Sequence, residues 1–334
     1  MSSGADRRPT TVPGSVASAA MATQVDVGAE LEQYRKELTA YCYRMLASPF
    51  EAEDAVQETM VRAWRAYDRF EGRSALRSWL YRIATNVCLD MLNGRERRAR
   101  PMDFGPAGAP VIENLNVPAE VVWLQPIPDS HLPEEAAIER ESVRLAFVSA
   151  LQHLPPRQRA ALILAEVLRW QASEIAELLE TSIAAVNSAL QRARATIEAH
   201  DMAASDPIEQ IDRELLERYV TAFEAYDIDA LTALIHEDAT QSMPPFDLWL
   251  SGRADIFTWW FGPGEGCRGS RVIPVGTVNG SPAFAQYKPD EDGGHVAWAL
   301  QVLEISGGRI GEFSFFLDTE ALFPLFGLPQ RLDA

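Results

Sequence analysis

Cysteine is scarce in this 334-residue chain, and the three that occur, Cys42, Cys88 and Cys267, lie far apart. Their odd number and their spacing give neither a disulfide framework nor a zinc site, so we expect a reducing compartment, the cytoplasm. No apolar run approaches the roughly 18 residues that a membrane span needs. Residues 1–28 contain small residues and no apolar stretch, which predicts a disordered tail and not a signal peptide.

The chain also lacks an excess of basic residues, since its net charge is -18. Taken as a whole, this value argues against a nucleic-acid partner. Residues 29–100, however, hold 13 basic and 11 acidic residues, and residues 142–200 hold 6 and 5. Residues 101–141 hold 1 basic and 8 acidic residues, and residues 205–334 hold 8 basic and 21 acidic residues. Two near-neutral segments rich in arginine therefore lie beside an acidic linker and an acidic C-terminal segment.

Three segments of the chain have the pattern of folded domains. Apolar residues recur at spacings of three and four in residues 29–100 and again in residues 136–202, which predicts helices in both. Residues 205–334 differ, because two short helical stretches precede a set of strands. The strand-like runs lie near residues 271–278, 282–288, 295–305 and 308–317. Many prolines between the first two segments predict an extended acidic linker, residues 101–135.

Residues 74–98, SALRSWLYRIATNVCLDMLNGRERR, combine the apolar face of a core helix with a polar flank. Arg77, Tyr81, Arg82 and Asn86 are spaced so that they share one broad helix face. An asparagine in the middle of a helix is more often bonded to the backbone inside a core than to a ligand. The pattern alone therefore leaves Asn86 open between a core role and a binding role.

Residues 172–194, ASEIAELLETSIAAVNSALQRAR, have the spacing of a helix-turn-helix. The residues that would pack between its two helices are Ile175, Ala176, Leu179, Ile183, Val186 and Leu190. The residues that the second helix would present outward are Ser182, Ala184, Ala185, Asn187, Ser188, Gln191, Arg192 and Arg194. Asparagine, glutamine and arginine suit base edges in the major groove, and Arg194 is better placed for phosphate. The alternative is an ordinary amphipathic helix pair. Glu180 slightly weakens the helix-turn-helix prediction, because it occupies a turn whose left-handed conformation favours glycine.

A further helix is predicted from Ser48, which would cap it, to about residue 67. Its predicted buried side consists of Ala55, Val56, Met60, Ala63, Trp64 and Tyr67. Its other side carries the charged and polar residues Glu53, Asp54, Gln57, Glu58 and Arg62. A solvated surface is the commoner role of such charges, so the pattern by itself does not require a partner.

Together these segments resemble a sigma-70-type initiation factor of the extracytoplasmic-function class. AEDAVQETMVRAWRAYDRFEGRSALRSWLYRIATNVCLDML is similar to the family's region 2 almost without gaps, and LPPRQRAALILAEVLRWQASEIAELLETSIAAVNSALQRARATI resembles its region 4. Residues 205–334 resemble the SnoaL-like cone that one subgroup carries after region 4. The resemblance implies two all-α sigma modules, a region 2 helical bundle and a region 4 helix-turn-helix, followed by an α+β SnoaL-like cone domain.

The resemblance implies a role for the polar face of the helix in residues 74–98. In the family, region 2 melts the promoter -10 element and holds one unpaired strand, which requires aromatic stacking and a basic track for phosphates. Phe70 is at the position that contacts a flipped base, and Asn86 is at the position of its polar partner. The implied -10 residues are Phe70, Arg73, Ser74, Arg77, Tyr81, Arg82, Asn86, Asn93, Arg97 and Arg98.

The resemblance also implies core RNA polymerase as a partner. In the family, the helix that carries Glu53 and Arg62 docks on the clamp helices of the β′ subunit, and the β flap is a further contact. Region 4 reads the -35 element as double-stranded DNA. This chain has Asn187 and Ala189 where many relatives carry arginine, which implies weaker phosphate anchoring or a different -35 preference. No membrane partner, metal or cofactor is expected.

The C-terminal domain has candidate pocket residues, since cones of this fold enclose mostly apolar pockets. These candidates are Met243, Trp249, Trp259, Trp298, Phe261, Phe284, Tyr287 and Phe315. Aromatic residues at strand spacing are more often plain core, so a small ligand of unknown identity stays an open alternative. Catalytic relatives often carry a His-Asp pair near the last strand, where this chain has phenylalanines in GRIGEFSFFLD. We therefore expect that the protein is not an enzyme. If the domain were catalytic, His236, Asp227 and His295 would be the remaining candidates, although each is more often a surface or turn residue.

Two segments are candidate regulatory contacts between the domains. Trp123, in the linker phrase VVWLQPIPD, would be a docking anchor, or else an exposed tryptophan on an unattached linker. Asp292, Gly293 and Gly294, in DEDGGHVAW, resemble a glycine-rich motif that the subgroup uses toward the sigma modules. We expect the acidic domain to pack against the basic DNA-facing surfaces or the linker. A stand-alone DNA-binding repressor and a SnoaL-like enzyme fused to a DNA-binding module are the alternatives to a sigma factor.

Overall fold

The computed structural model describes residues 27–70, 72, 75–134, 142–199, 206 and 213–333. Most of the predicted N-terminal tail lies outside this part of the chain, as do Arg73 and Ser74 of the predicted -10 set. The described residues form two helical modules followed by an α+β domain, so the predicted fold class is confirmed. Within the described ranges, no helix is long and apolar enough to cross a bilayer.

The region 2 module is built on three helices. They are α1, Arg35–Leu46; α2, Pro49–Ala66; and α3, Leu76–Leu92. Ser48 begins α2 as predicted, because its hydroxyl accepts a hydrogen bond from the Glu51 backbone N–H and Pro49 holds the first helical position. Val56 of α2 and Leu80 of α3 are fully buried between the helices.

The region 4 module contains four helices and one π-helical turn. They are α4, Leu145–Gln152; α5, Pro156–Leu162; the π turn, Ile163–Val167; α6, Ala172–Leu178; and α7, Ile183–Glu198. Glu180, in the turn before α7, has a φ of 52°, the left-handed conformation expected at this position. Ile175, Val186 and Leu190 are buried as predicted. Ile183 was predicted to be buried but is 50% exposed; it is the first residue of α7, and the first buried residue of this helix is Val186.

The C-terminal domain wraps a curved sheet around helices. Its elements are α8, Arg213–Ala225; α9, Ile228–Leu234; β1, Ile235–Ser242; β2, Trp249–Ser251; α10, Arg253–Phe261; β3, Arg271–Val278; β4, Ser281–Pro289; β5, His295–Ser306; β6, Arg309–Phe316; α11, Thr319–Leu325; and β7, Arg331–Leu332. The strand order is β2-β1-β6-β5-β4-β3, and β7 pairs with β5. Only the β1–β6 pair is parallel among these described strands.

The sheet separates two hydrophobic cores. On one face, Phe284, Leu303 and Phe313 pack on helices α8 to α10 within the C-terminal domain. On the other face, residues such as Val302 and Phe316 join a core that both helical modules and the linker share. Successive residues of a strand point to opposite faces, so one sheet serves both cores. The C-terminal domain is therefore part of the core that the sigma modules share.

Candidate promoter and polymerase interface

The side of α7 that faces solvent carries the residues predicted to read the -35 element. All eight are exposed: Ser182, Ala184, Ala185, Asn187, Ser188, Gln191, Arg192 and Arg194. The Ser182 hydroxyl accepts from the Ala185 N–H at 3.1 Å and so fixes the start of the helix. Arg192 donates to the Ser188 hydroxyl at 2.6 Å, and Arg194 pairs with Glu166 at 2.5 Å. Such exposed contacts are weak, so both guanidinium groups can exchange them for DNA contacts.

Part of the predicted -10 face is also open to solvent. Asn86 is exposed on α3, which excludes a core role for it, and Asn93 is exposed where α3 ends. The Phe70 ring lies next to the Trp79 ring, with ring centroids 5.0 Å apart, and next to the Tyr67 ring at 6.3 Å. This aromatic cluster at the start of α3 is suited to stacking on an unpaired base.

Two other residues of the predicted -10 face are engaged inside the chain. Tyr81 is fully buried, with its ring 5.1 Å from Tyr41 and 5.4 Å from Trp170 of the region 4 module. Arg77 pairs with Glu37 at 2.9 Å and lies over the Tyr81 ring at 5.2 Å. The prediction that Tyr81 faces DNA is wrong for this arrangement, because its position borders the core face and Trp170 covers it. Burial raises the pKa of the Tyr81 phenol well above its usual range.

Arg82, the next predicted -10 residue, joins the two modules. Its guanidinium lies 3.1 Å from the Glu177 carboxylate of α6, and its Nε is buried with no hydrogen-bond partner among the described residues. The buried Arg159 of α5 makes a second contact between the modules, because it donates to the Met45 carbonyl of region 2 and to the Gln152 carbonyl. Burial lowers the pKa of Arg159 to about 10, which leaves it charged at neutral pH. The region 4 module therefore covers part of the predicted -10 face.

The basic run after α3 is divided between solvent and interior. The Arg98 side chain is only 12% exposed, pairs with Glu51 at 3.0 Å and donates to the Trp123 carbonyl at 2.6 Å. The Arg97 side chain is 40% exposed and pairs with Asp103 at 3.3 Å. Arg97 is thus accessible to a DNA phosphate. Arg98 is not, contrary to the prediction, because it holds the linker against region 2.

The outer side of α2 carries the residues predicted to bind polymerase. They are Glu53, Asp54, Gln57, Glu58 and Arg62, of which Glu53 is partly buried and the others are exposed. Glu58 pairs with Arg62 at 2.6 Å. Trp64, predicted for the buried side, is instead 48% exposed and lies three residues after Val61, which is 40% exposed. Apolar residues surrounded by charges are typical of the centre of a protein interface.

The linker is attached to region 2 near Trp123 and Gln125. The Trp123 ring packs on Phe104, another linker residue, with ring centroids 5.6 Å apart. The Trp123 backbone carbonyl accepts from Arg98 of region 2. Two residues later, the Gln125 carbonyl accepts from the Tyr43 hydroxyl at 2.9 Å and the Gln125 side chain accepts from the Ser48 hydroxyl at 2.6 Å. The sequence correctly indicated the segment that attaches to region 2, but the hydrogen bonds come from Gln125 and the Trp123 backbone, and the Trp123 ring packs within the linker.

The contact that joins all parts of the molecule is at the tip of the β3–β4 hairpin. Asn279 and Gly280 form a two-residue turn with φ of 53° and 72°. The fully buried Asn279 carboxamide accepts from the Ile127 N–H at 2.9 Å. It donates to the Tyr43 hydroxyl at 2.8 Å and to the Val143 carbonyl at 2.6 Å. One side chain therefore binds the linker, region 2 and the start of region 4. The Asn-Gly pair between strand-like runs indicates a turn, but sequence reasoning missed this role.

The glycine-rich turn predicted to contact the sigma modules has a different environment. Asp292, Gly293 and Gly294 lie at the β4–β5 turn, where the Asp290 N–H donates to the Gly294 carbonyl. Arg331, near the end of the chain, donates to the Gly293 carbonyl at 2.6 Å and pairs with Asp290. These hydrogen bonds all stay within the C-terminal domain, so the predicted regulatory contact of this turn is wrong for this arrangement.

Aromatic side chains enclose a cavity of about 290 Å³ inside the cone. Of the predicted lining residues, Met243, Trp259, Trp298, Phe261 and Phe315 contribute to its wall. Trp249 does not, because its indole N–H donates to the Gly105 carbonyl of the linker at 2.9 Å. Phe284 belongs to the core beside the cavity, and Tyr287 points to the opposite face of the sheet. The linker residues Ile112 and Leu115 also form part of the cavity wall.

The three catalytic candidates of the C-terminal domain have structural positions outside the cavity wall. The Asp227 carboxylate caps α9 by accepting from the Ala230 N–H at 3.0 Å. The His236 ring bonds to the Ser306 carbonyl at 2.6 Å, and the His295 ring bonds to the Gly269 carbonyl at 3.0 Å. Each of the three residues therefore has a structural role that explains its position.

Comparison with known proteins assigns each of the three folded segments. A model of sigma-70 region 2 matches residues 31–98, a model of sigma-70 region 4 matches residues 144–197, and a model of the SnoaL-like domain matches residues 216–313. The chain is 46% identical over 321 residues to the ECF RNA polymerase sigma factor SigG of Mycobacterium tuberculosis. That match covers 92% of this chain and 85% of SigG.

A second relative has both a matching sequence and a solved structure. The chain is 29% identical over 211 residues to the ECF sigma factor SigJ of Mycobacterium tuberculosis, which covers 63% of this chain and 62% of SigJ. The crystal structure of SigJ has the same fold, with a TM-score of 0.61 over 90% of this chain and 99% of that one, at 20% identity. The chain therefore belongs to the extracytoplasmic-function sigma factors, which recognise promoters and initiate transcription with RNA polymerase, and it carries a SnoaL-like domain after region 4.

Proposed function

We propose that this sigma factor binds core RNA polymerase, in the cytoplasm, through the outer side of α2, and reads double-stranded -35 DNA through the outer side of α7. Both surfaces are exposed in the described arrangement, and each carries the residue types that its partner requires. The -10 strand binds to α3 and Phe70, with Asn86 reading an unpaired base. This last step requires a rearrangement, because Tyr81 and Arg82 are engaged with region 4.

The observation that carries this proposal is the direct contact between α3 and the region 4 module. The -35 and -10 elements are separated by about 25 base pairs, or roughly 85 Å of duplex at about 3.4 Å per base pair. A module of about 60 residues has a radius of gyration of only roughly 10 Å. Two modules joined by the 3.1 Å Arg82–Glu177 pair therefore do not reach both elements together. The arrangement described here is a closed form that opens on the polymerase.

The C-terminal domain restrains this opening. Asn279 joins the linker, region 2 and region 4, as described above. Two largely buried ion pairs add to it: Arg144 at the start of region 4 lies 2.6 Å from Glu304, and Arg100 pairs with Glu312. Separation of the modules would break these contacts and expose the shared core to water.

Transcription in vitro with core polymerase and the full chain tests this proposal. We expect promoter-specific transcripts from the wild-type chain and several-fold more from Asn279→Ala, because the variant weakens the closed form. Thr277→Ala, in the same hairpin, is the matched control and should resemble the wild type. A folded Asn279→Ala chain that makes fewer transcripts would contradict a restraining role. Absence of both polymerase binding and transcripts from every form would favour a stand-alone DNA-binding regulator.

A further inference from the structure

Among the described residues, the wall of the cavity inside the cone includes one cationic side chain, Lys288, and no acidic one. The Lys288 ammonium lies 3.9 Å from the centre of the Trp298 ring, which holds the charge at the cavity. No carboxylate forms a salt bridge with Lys288 among the described residues. This is unusual in a domain where residues 205–334 hold 21 acidic and only 8 basic residues.

A second hydrogen-bond donor in the cavity wall is the Gln241 amide. An indole nitrogen can only donate, so the 2.6 Å contact from the Trp260 N–H identifies the Gln241 carbonyl oxygen. The amide NH₂ group must then point the other way, and no partner for it occurs among the described residues. The neighbouring Gln286 is occupied, because it accepts from Gln301 at 2.8 Å and donates to Ser270 at 3.1 Å. Lys288 and Gln241 thus leave two donors for an acceptor-rich group.

The volume of the cavity and the apolar part of its wall limit the size and the polarity of the rest of the ligand. A cavity of about 150 Å³ accommodates benzene, so one of 290 Å³ has room for about two fused rings. Apart from Lys288, the two glutamines and the Cys267 thiol, the wall is mostly aromatic and aliphatic. Trp259, Phe315 and Met243 are among its members. Flat apolar rings pack well against such walls in offset and edge-to-face arrangements.

We propose that this cavity binds a flat, apolar organic anion of about two rings, such as an aromatic carboxylate, and that the bound anion holds the linker against the C-terminal domain. The carboxylate accepts hydrogen bonds from Lys288 and Gln241, and the rings fill the aromatic part of the cavity. A neutral or cationic ligand of the same shape leaves the Lys288 charge without a partner and binds more weakly.

The linker forms part of the cavity wall, so a bound ligand would contact it. Ile112 and Leu115 of the linker line the cavity, so a ligand that fits it contacts the segment between the two sigma modules. This segment docks on the C-terminal domain through the Gly108 N–H to the Trp249 carbonyl at 2.9 Å and the Asp247 N–H to the Asn116 carbonyl at 3.0 Å. A ligand that binds only the docked linker stabilises the docked form by mass action. This linker half of the proposal rests on the closed form of the proposed function, and it predicts that the anion represses transcription.

Titration calorimetry of the full chain with 2-naphthoate tests the ligand class directly. We expect 2-naphthoate to bind the wild-type chain at least tenfold more tightly than the neutral 2-naphthamide. This comparison requires no substitution, so it does not depend on a variant folding. Lys288→Gln should abolish the preference for the acid. Arg309→Gln, which removes an exposed charge elsewhere in the domain, should retain it. Equal binding of acid and amide by the wild type, or no binding of either, would overturn the proposal.

The linker half has its own measurement. We expect Leu115→Ala to weaken 2-naphthoate binding, and we expect 2-naphthoate to lower transcription by the wild-type chain and not by Lys288→Gln. Unchanged or increased transcription at saturating 2-naphthoate would overturn the linker half. Transcription in the absence of ligand is measured in the same series. A sigma factor that transcribes but does not bind 2-naphthoate therefore separates failure of this inference from failure of the proposed function.

Discussion

At the scale of single residues, two asparagines have opposite roles. Asn187 is exposed on α7, in the row predicted to face DNA. Asn279 is fully buried, and its carboxamide satisfies one donor and two acceptors from three different parts of the chain. A buried polar group that loses its partner costs more than the bond contributed, so Asn279 has the greater effect on stability.

Replacement of these two asparagines should separate stability from DNA binding. Asn279→Ala leaves the Ile127 N–H and the Val143 carbonyl unpaired, so we predict a loss of about 1–3 kcal/mol in the free energy of unfolding. Asn187→Ala should leave stability unchanged and weaken binding to -35 duplex. Chemical denaturation and duplex binding of both variants provide the check. Equal stability of the two variants would show that the Asn279 contacts are not made in solution.

The buried tyrosines predict the pH above which the folded state loses stability. Burial raises the pKa of Tyr41, Tyr81 and Tyr219 above the value of about 10 that tyrosine has in an unfolded chain. The folded state therefore favours the neutral phenol. This stability is fully present below about pH 10 and is lost as the pH rises above it.

We accordingly predict that tyrosinate absorbance of these buried residues appears together with the loss of helical circular dichroism above about pH 10. Tyr81→Phe keeps the buried ring, so the modules should stay packed while the absorbance change decreases. Complete tyrosinate formation near pH 10 with unchanged circular dichroism would mean that these phenols are open to solvent.

At the scale of elements, α7 is the candidate reader of the -35 element. We predict that Gln191→Ala and Arg192→Ala each weaken -35 duplex binding by about 1–3 kcal/mol, because each removes a side chain suited to a base edge. Thr221→Ala, on the exposed side of α8, is the control and should bind normally. Fluorescence anisotropy with a labelled duplex measures the effect. Normal binding by both α7 variants would exclude this surface as the reader.

The exposed side of α2 makes a matching prediction for polymerase. Trp64→Ala should weaken binding to core polymerase by about 2 kcal/mol or more, as expected for a tryptophan at the centre of an interface. It should lower the melting temperature only modestly, because the residue is 48% exposed and therefore only partly buried in the free chain. Ile228→Ala, which removes an exposed apolar side chain from the C-terminal domain, is the control. The assignment of this surface fails if both variants bind polymerase equally well.

The elements also show what the sequence can and cannot predict. Strands β3 to β6 were predicted within a few residues, because their apolar runs are clear. Strand β1, IHEDATQS, was missed because it is largely polar and its burial does not alternate. Helix periodicity located the α7 surface correctly but misjudged Tyr81 and Trp64, which lie at the borders of their helix faces. The partners of Asn279 are distant in the chain, so no local pattern reports them.

At the scale of the whole molecule, one sheet connects the sigma modules to the cavity. Its outer face completes the core that regions 2 and 4 share, and its inner face helps to enclose the cavity. The acidic domain was expected to pack against the DNA-facing surfaces or the linker, and the Gly108–Trp249 and Asn116–Asp247 hydrogen bonds join it to the linker. Its ion pairs, Arg144–Glu304 and Arg100–Glu312, involve arginines outside the predicted DNA-binding sets. Apolar packing across the sheet was not predicted, because it depends on both faces of the strands being buried.

Regions 2 and 4 must separate when the sigma factor engages a promoter, because the closed form does not span both elements. Fluorescence resonance energy transfer tests this separation most directly, with labels at Asp90→Cys on α3 and Glu198→Cys on α7, both exposed, and with Cys267→Ser. Cys42 and Cys88 are buried and should not react. We predict efficient transfer in the free chain and its loss on core polymerase with promoter DNA, where the labels would be roughly 85 Å apart. Efficient transfer that persists in a complex producing transcripts would show that the modules do not separate during initiation.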